Sequence, residues 1–172
     1  MMAANLYRVI APVDDMNRAD AFWSGLLQLE VDPVVPTRHY LHTGGAILAL
    51  VDPREHGRTH RASPDWLYFR VPDLDAIWQR AREVGCLAPE GDEGEGIHTR
   101  PWGERSFYTH DPFGNPLCFI DDLRSEIPPA WSKYAGCPIA NLVKTILPAR
   151  DLPRSGAFFA DLLGVEVDTQ VE

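Results

Sequence analysis

Asn5-Leu6-Tyr7-Arg8-Val9-Ile10-Ala11-Pro12-Val13-Asp14-Asp15-Met16-Asn17-Arg18-Ala19-Asp20-Ala21-Phe22-Trp23 is the stretch that decides the fold, because the chain carries it twice. Displaced by 136 positions without a gap, Asn5-Leu6 falls on Asn141-Leu142, Pro12 on Pro148, Asp15 on Asp151 and Arg18 on Arg154. Ala21-Phe22 falls on Ala157-Phe158, Leu26-Leu27 on Leu162-Leu163, and Glu30-Val31-Asp32 on Glu166-Val167-Asp168. That density of matches in one register is an internal duplication.

Each copy reads as strand, turn, helix, strand. Tyr7, Val9, Ala11 and Val13 alternate with Leu6, Arg8, Ile10 and Pro12, the period of a strand with two different faces. Asp14 or Asp15 then caps a helix whose apolar residues Ala19, Phe22, Trp23, Leu26 and Leu27 recur at a 3.6-residue period. A weaker copy lies between the two. Leu67, Phe69 and Val71 alternate with Trp66, Tyr68 and Arg70. Asp73 opens a helix with Ile77, Trp78, Ala81 and Val84 on one face, and Gly85 stops it.

Between the helices the sequence predicts hairpins. Arg38 to Thr43 and Ala46 to Val51 flank Gly44-Gly45, a two-residue turn. Arg105 to His110 and Pro116 to Ile120 flank the turn Asp111-Pro112-Phe113-Gly114. Residues 53–64 and 90–96 read as loops, and Ile127-Pro128-Pro129 as a linker. The chain is thus βαβββ, βαβββ, linker, βαβ.

Composition narrows the function classes. The 172 residues carry 16 Lys and Arg against 25 Asp and Glu, a formal charge of −9. That balance argues against binding a phosphate backbone, which needs clustered cations. No apolar run approaches the roughly 20 residues of a membrane span, and the first residues lack a secretory pattern. Cys86, Cys118 and Cys137 show neither a disulfide framework nor zinc spacing. Lys133 and Lys144 are the only lysines. A cytoplasmic protein is expected, with no nucleic-acid or membrane partner.

Two motifs carry a family resemblance: the strand-to-helix passage Val13 to Trp23, with its copy Asp151-Leu152-Pro153-Arg154-Ser155-Gly156-Ala157-Phe158-Phe159, and Arg105-Ser106-Phe107-Tyr108-Thr109-His110-Asp111-Pro112-Phe113-Gly114-Asn115. Paired βαβββ modules with these motifs resemble the vicinal oxygen chelate superfamily of glyoxalases, extradiol dioxygenases and bleomycin-resistance proteins. The resemblance implies an α+β fold: paired βαβββ modules forming curled mixed sheets around a cleft, plus a partial third βαβ module. Residues 1–122 would form the main domain from modules 5–54 and 64–122, residues 123–139 a linker, and residues 140–172 a third unit duplicating residues 4–36.

The metal-dependent members of that family place His or Gln on the first strand and Glu on the last strand of a module. Here the first-strand positions are Arg8, Trp66 and Lys144, and the last-strand positions Ala49 and Cys118. Arg, Lys, Trp and Ala are not metal ligands, so no metal or other cofactor is expected. The departure resembles the metal-free, drug-binding members.

Alternation along strands assigns the cleft-facing side chains. Arg8 brings Leu6 and Ile10, and Trp66 brings Tyr68 and Arg70. Tyr40 and His42 lie beside Ala49 and Ile47, and Arg105 and Phe107 beside Ile120 and Cys118. With Trp102 near the acidic loop, the candidate ligand-binding set is Arg8, Tyr40, His42, Trp66, Tyr68, Arg70, Trp102, Arg105, Phe107 and Cys118. Aromatic rings stack on planar ligands and arginines hold carboxylates or phosphates. The same pattern also fits arginines paired with the chain's own acids and aromatics that simply fill the cleft.

The expected function is metal-independent binding of a small aromatic molecule, as in bleomycin-resistance-like sequestration. The alternative is a glyoxalase- or dioxygenase-like lyase, isomerase or oxygenase with a divergent or metal-free site, for which His42 and Arg8 are the catalytic candidates. His56 and His60 have the i, i+4 spacing of a helical metal pair, but Gly57 and the flanking Pro53 and Pro64 read as a loop; His39 and His42 point to opposite faces of a strand, and the acidic residues Glu90 to Glu95 lack a calcium-loop register. A homodimer is expected, with the third unit either docking on another chain or poorly ordered.

Overall fold

The computed structural model describes residues 6–86, 96–101, 103–122, 141–145 and 149–163. The first module runs β1 (Arg8–Pro12), α1 (Met16–Leu27), β2 (Asp32–Val35), β3 (Arg38–His42) and β4 (Ile47–Val51), and a short 3-10 turn follows at Pro53–His56. The second runs β5 (Leu67–Val71), α2 (Leu74–Glu83), β6 (His98–Thr99), β7 (Arg105–His110) and β8 (Pro116–Asp121). The repeat supplies β9 (Asn141–Thr145) and α3 (Leu152–Leu163). The linker, most of the acidic loop, and Trp102 lie outside the described residues.

The sheets follow one plan. The first has strand order β1-β4-β3-β2, the second β6-β7-β8-β5-β9. In each, the strand before the helix runs parallel to the last strand of its module, β1 beside β4 and β5 beside β8. Asp15 caps α1 by accepting from the Arg18 N–H at 3.0 Å, and Asp73 caps α2 from the Ala76 N–H at 2.9 Å. Gly85, at φ +68°, ends α2 as predicted, and the next N–H, of Cys86, reaches back to the Ala81 carbonyl at 3.0 Å.

One core joins the two modules. Ala19, Phe22, Trp23, Leu26 and Leu27 of α1 share it with Leu41, Leu48 and Leu50 of the first sheet and with Leu67, Phe69, Phe107 and Phe119 of the second. The Trp23 ring lies 5.8 Å from that of Phe69, which stacks on Phe119 at 5.4 Å, and Phe119 stacks on Phe107 at 5.2 Å. Each of these large side chains contributes about 1.5–3 kcal/mol through burial.

Asn115 fastens the modules with polar contacts. Its amide donates to the Pro12 carbonyl at 2.9 Å and to the Asp111 carboxylate at 2.7 Å, and its carbonyl accepts from the Ser63 N–H at 2.8 Å. Asp111 also accepts from the backbone N–H groups of Phe113 and Asn115. Gly114 beside them has φ +84°, and a Cβ there would come within 3.3 Å of Ala62. Both facts call for glycine.

The two hairpins differ by one residue, with a large consequence. Across Gly44-Gly45 the register is the predicted one, Arg38 opposite Val51, Tyr40 opposite Ala49 and His42 opposite Ile47. The second turn is longer than predicted. Gly114 N–H bonds the Asp111 carbonyl at 3.0 Å, and Asp111 N–H then bonds the Asn115 carbonyl at 3.0 Å. This is a turn followed by a glycine bulge, and the extra residue exchanges the two faces of β7 relative to β8. Tyr108 therefore lies opposite Cys118, and Phe107 opposite Phe119. The predicted placement of Arg105 and Phe107 on the cleft side is corrected: Phe107 is 0% exposed in the core.

In the third unit, β9 closes the edge of β5 in its own chain, running antiparallel to it. The pairs are Leu67 with Thr145, Tyr68 with Lys144, Phe69 with Leu142 and Arg70 with Asn141, with a register shift between Tyr68 and Phe69. Helix α3 lacks the cover that α1 has. Phe158 and Leu162 are 57% and 63% exposed, whereas their counterparts Phe22 and Leu26 are 7% and 0% exposed.

Candidate functional site

The sheet faces turned away from the helices hold the candidate residues in two groups. On the first sheet, Arg8 and Ile10 of β1 share a face with Tyr40 and His42 of β3 and with Ile47 and Ala49 of β4. The Arg8 guanidinium carbon lies 4.7 Å from the centroid of the Tyr40 ring and 5.3 Å from that of Tyr7. Such contacts attract the cation to the ring faces. Its Nε is shielded from solvent and has no acceptor among the described residues, so an acceptor reaches the guanidinium at the Nη atoms. His42 Nε2 stands 3.9 Å from an Asp32 carboxylate oxygen, both exposed. His39, one face over, is buried with Nδ1 2.9 Å from the Asp20 carboxylate, as opposite-face strand positions require.

On the second sheet, Trp66, Tyr68, Cys118 and Ile120 share a face with Tyr108. Tyr68, Cys118 and Ile120 are 6%, 0% and 2% exposed, so this face is packed. Trp66 meets Tyr108 edge-on at 4.9 Å and His110 at 5.8 Å, and Tyr68 meets Tyr108 edge-on at 6.4 Å. The Arg100 guanidinium carbon lies 4.6 Å from the Tyr108 ring centroid, while Arg100 Nε donates to Ser106 Oγ at 3.1 Å. Cys118 is a small buried side chain in an apolar cluster.

The remaining predicted arginines are taken up by acids. Arg70 Nε sits 3.1 Å from an Asp122 oxygen, with both side chains buried. Arg105 donates to Asp121 at 2.7 Å and to Asp75 of α2 at 2.8 Å, on the helix side of the sheet. The Asp75 carboxylate, with Asp121 behind it, raises the Arg105 pKa above its ordinary value despite partial burial. Tyr108, His110, Ser106 and Arg100 escaped the sequence reading. Counting Asn115 into the turn would have exposed the first three.

The residues at the positions implied for a divalent ion do not fit one. Arg8 lies beside Ile47 and Ile10 beside Ala49 in the first sheet, and Tyr68 beside Cys118 in the second. A guanidinium repels a cation, and a single thiol among aromatics is not a ligand set. Among the described residues no group of three or more His, Cys, Asp or Glu is placed to hold a metal ion.

No curated protein matches the chain. Among solved structures it is similar to Oxidase ChaP-H2, with 25% identity and a TM-score of 0.57 over 70% of this chain and 94% of that one. It shares the fold of the lactoylglutathione lyase from Agrobacterium tumefaciens, with 23% identity and a TM-score of 0.54 over 69% of this chain and 93% of the other. The bleomycin resistance determinant encoded on transposon Tn5 aligns at 19% identity and a TM-score of 0.54, over 72% of this chain and 100% of that one. The profile of one family matches residues 5–119, most of both modules, and the chain belongs to it: the Glyoxalase/Bleomycin resistance protein/Dioxygenase superfamily.

Proposed function

We propose that the chain binds a small aromatic molecule on these sheet faces without a metal ion. The observation that carries this reading is the exchange of ligand types at the metal positions. Arg8 and Ala49, and Trp66 and Cys118, stand where ligands would be needed, while the same faces present rings and a guanidinium. Arg8, Tyr40 and His42 form the accessible part of the site. Trp66, Tyr68, Tyr108 and His110 form its aromatic wall, and Arg70 braces that wall through Asp122. The acidic chain offers no footprint for nucleic acid, and among the described residues no helix is long and apolar enough to cross a membrane. The free cysteines Cys86 and Cys118 suit the reducing cytoplasm.

The test is direct. Protein purified without chelator is denatured, its small molecules are identified by mass spectrometry, and its metal content is measured. An organic aromatic at near one equivalent is expected. One equivalent of tightly held iron, manganese, nickel or zinc bound at this site would overturn the reading.

The similarity to Oxidase ChaP-H2 favours a second reading, in which the same site performs catalysis. Histidine is the side chain that moves protons near neutral pH, and His42 is exposed on the open face. His42→Ala that leaves binding intact but abolishes turnover would establish that reading.

A further inference from the structure

We propose that the molecule held on the first sheet is an aromatic carboxylate, and that Arg8 selects it by taking the carboxylate between its two Nη atoms; this ligand class rests on the binding reading above. Acidic residues outnumber Lys and Arg by 25 to 16, so most arginines can find an acid within their own chain. Arg54 pairs with Asp52 at 2.6 Å, Arg70 with Asp122 at 3.1 Å, and Arg105 with Asp121 at 2.7 Å and Asp75 at 2.8 Å. Arg8 is half-buried and makes no ion pair among the described residues. Its shielded Nε has no acceptor there either. A partly desolvated cation without a counter-charge favours an anion from outside.

Strand register explains where that guanidinium lies. Arg8 and Ile10 of β1 stand beside Ile47 and Ala49 of β4, and Tyr40 of β3 lies beyond Ala49. Alanine is short, so the Arg8 side chain crosses β4 and brings its guanidinium carbon 4.7 Å from the Tyr40 ring centroid. Tyr7 lies 5.3 Å away. These rings attract the cation through its charge and leave the Nη–H donors for another acceptor. Two parallel donors match the two oxygens of a carboxylate. Ile10, Ile47 and Ala49 form an apolar floor beside them, and Ile10 is 53% exposed, a surface that an aromatic ring would cover.

Other charges on this face are engaged elsewhere. Asp32, opposite Tyr40 on β2, stands 3.9 Å from His42. Arg38 lies 3.9 Å from Glu55, which accepts from the Thr37 hydroxyl at 2.8 Å. The net charge of −9 is spread over the whole surface and is screened beyond about 8 Å in physiological salt, whereas a carboxylate at Nη meets the cation at hydrogen-bond distance. The second sheet repeats the arrangement. Tyr108 takes the place of Tyr40, and the Arg100 guanidinium carbon lies 4.6 Å from its ring centroid, with Nε on the neutral Ser106 hydroxyl. A cationic ligand would meet like charge on either face.

The test titrates the full chain by calorimetry with probes that differ only in charge: benzoate, benzamide and benzamidine, then 2-naphthoate, 2-naphthamide and 2-naphthamidine. At neutral pH at least one carboxylate is expected to bind about tenfold more tightly than its amide, with the amidine weaker still. Arg8→Gln, with the circular dichroism of the parent, should bring the carboxylate-to-amide ratio to about one, while Arg8→Lys keeps part of the preference. If Arg8→Gln does not fold, the Arg8 guanidinium signals of the parent in nitrogen-15 NMR decide: they shift on adding the carboxylate, or the proposal fails. An amide or amidine that binds as tightly as its carboxylate, or a preference that survives Arg8→Gln, would overturn the proposal and leave aromatic binding standing. No binding of either carboxylate up to about 10 mM would overturn it too. The binding reading itself would then be judged by the mass spectrometry of the co-purified molecule.

Discussion

In the first sheet one row of side chains away from the helices runs Tyr40, Ala49, Ile10, and in the second the matching row runs Tyr108, Cys118, Tyr68. One step along, His42 in the first sheet matches His110 in the second, and Arg8 takes the place that Trp66 fills. The duplicated positions keep a tyrosine and a histidine on β3 and β7. They differ in bulk on β1 and β5. A tyrosine and a tryptophan close the second face over Cys118, whereas isoleucine and arginine leave the first accessible. Two or three side chains thus give one module plan a packed face in the second sheet and a more open one in the first.

Several measurements can break or sharpen that contrast. The largest effect belongs to the turn. Deleting Asn115 shortens it by one residue and would turn Tyr108 and His110 toward the helices. Loss of the cooperative denaturation transition is expected, and a chain that folds normally would refute the register argument. Next come the arginines. Arg70→Met strands the buried Asp122 carboxylate and should cost about 3 kcal/mol, whereas Arg8→Met, which breaks no ion pair, should cost less than about 1 kcal/mol. Urea titration reads both, and equal losses would mean that Arg8 is structural.

The tyrosines follow. Tyr68→Ala should cost about 3 kcal/mol through the cavity it leaves, and the more exposed Tyr40→Ala about 1 kcal/mol. Equal costs would show that both faces are packed alike.

The smallest effect is in pH. Hydrogen bonding to Arg54 holds the Asp52 carboxyl, beside the first sheet, below its ordinary 3.8, while burial pushes that of Asp111, in the turn of the second, above it. Asp52 therefore contributes stability that is full above its ordinary pKa and is lost as pH falls through its lowered value. Asp111 has the opposite sign, its contribution being full below the ordinary value and lost as pH rises through the raised one. Thermal melts from acid to neutral pH should show Arg54→Gln flattening only the lowest part of the curve.

The strand–helix–strand order, the caps at Asp15 and Asp73 and the first hairpin were legible because each rests on local chemistry. Gly44-Gly45 leaves a single short turn to choose. The second hairpin was misread because four turn residues and five are equally well signalled by Asp111, Pro112 and Gly114. Only the side chain of Asn115, bonded to Pro12 more than a hundred residues away, selects the longer one. The arginines were ambiguous for another reason. Asp122 and Asp75 reach Arg70 and Arg105 through folding, and no spacing in the chain announces those pairs. The repeat announced β9 but not its neighbour, because the outer edge of a strand carries no pattern of its own.

The shared core has a consequence for unfolding. Trp23 of the first module packs on Phe69 of the second, and their apolar interiors form one cluster. Neither βαβββ unit can open without uncovering the other, so the two sheets should behave as a single cooperative unit, with their slowest amides exchanging at one common free energy. Helix α3, built from the same pattern but outside that cluster, would exchange far sooner. The strand of the repeat, β9, belongs to the second sheet, but its helix, unlike α1, lies outside the body that melts as a whole.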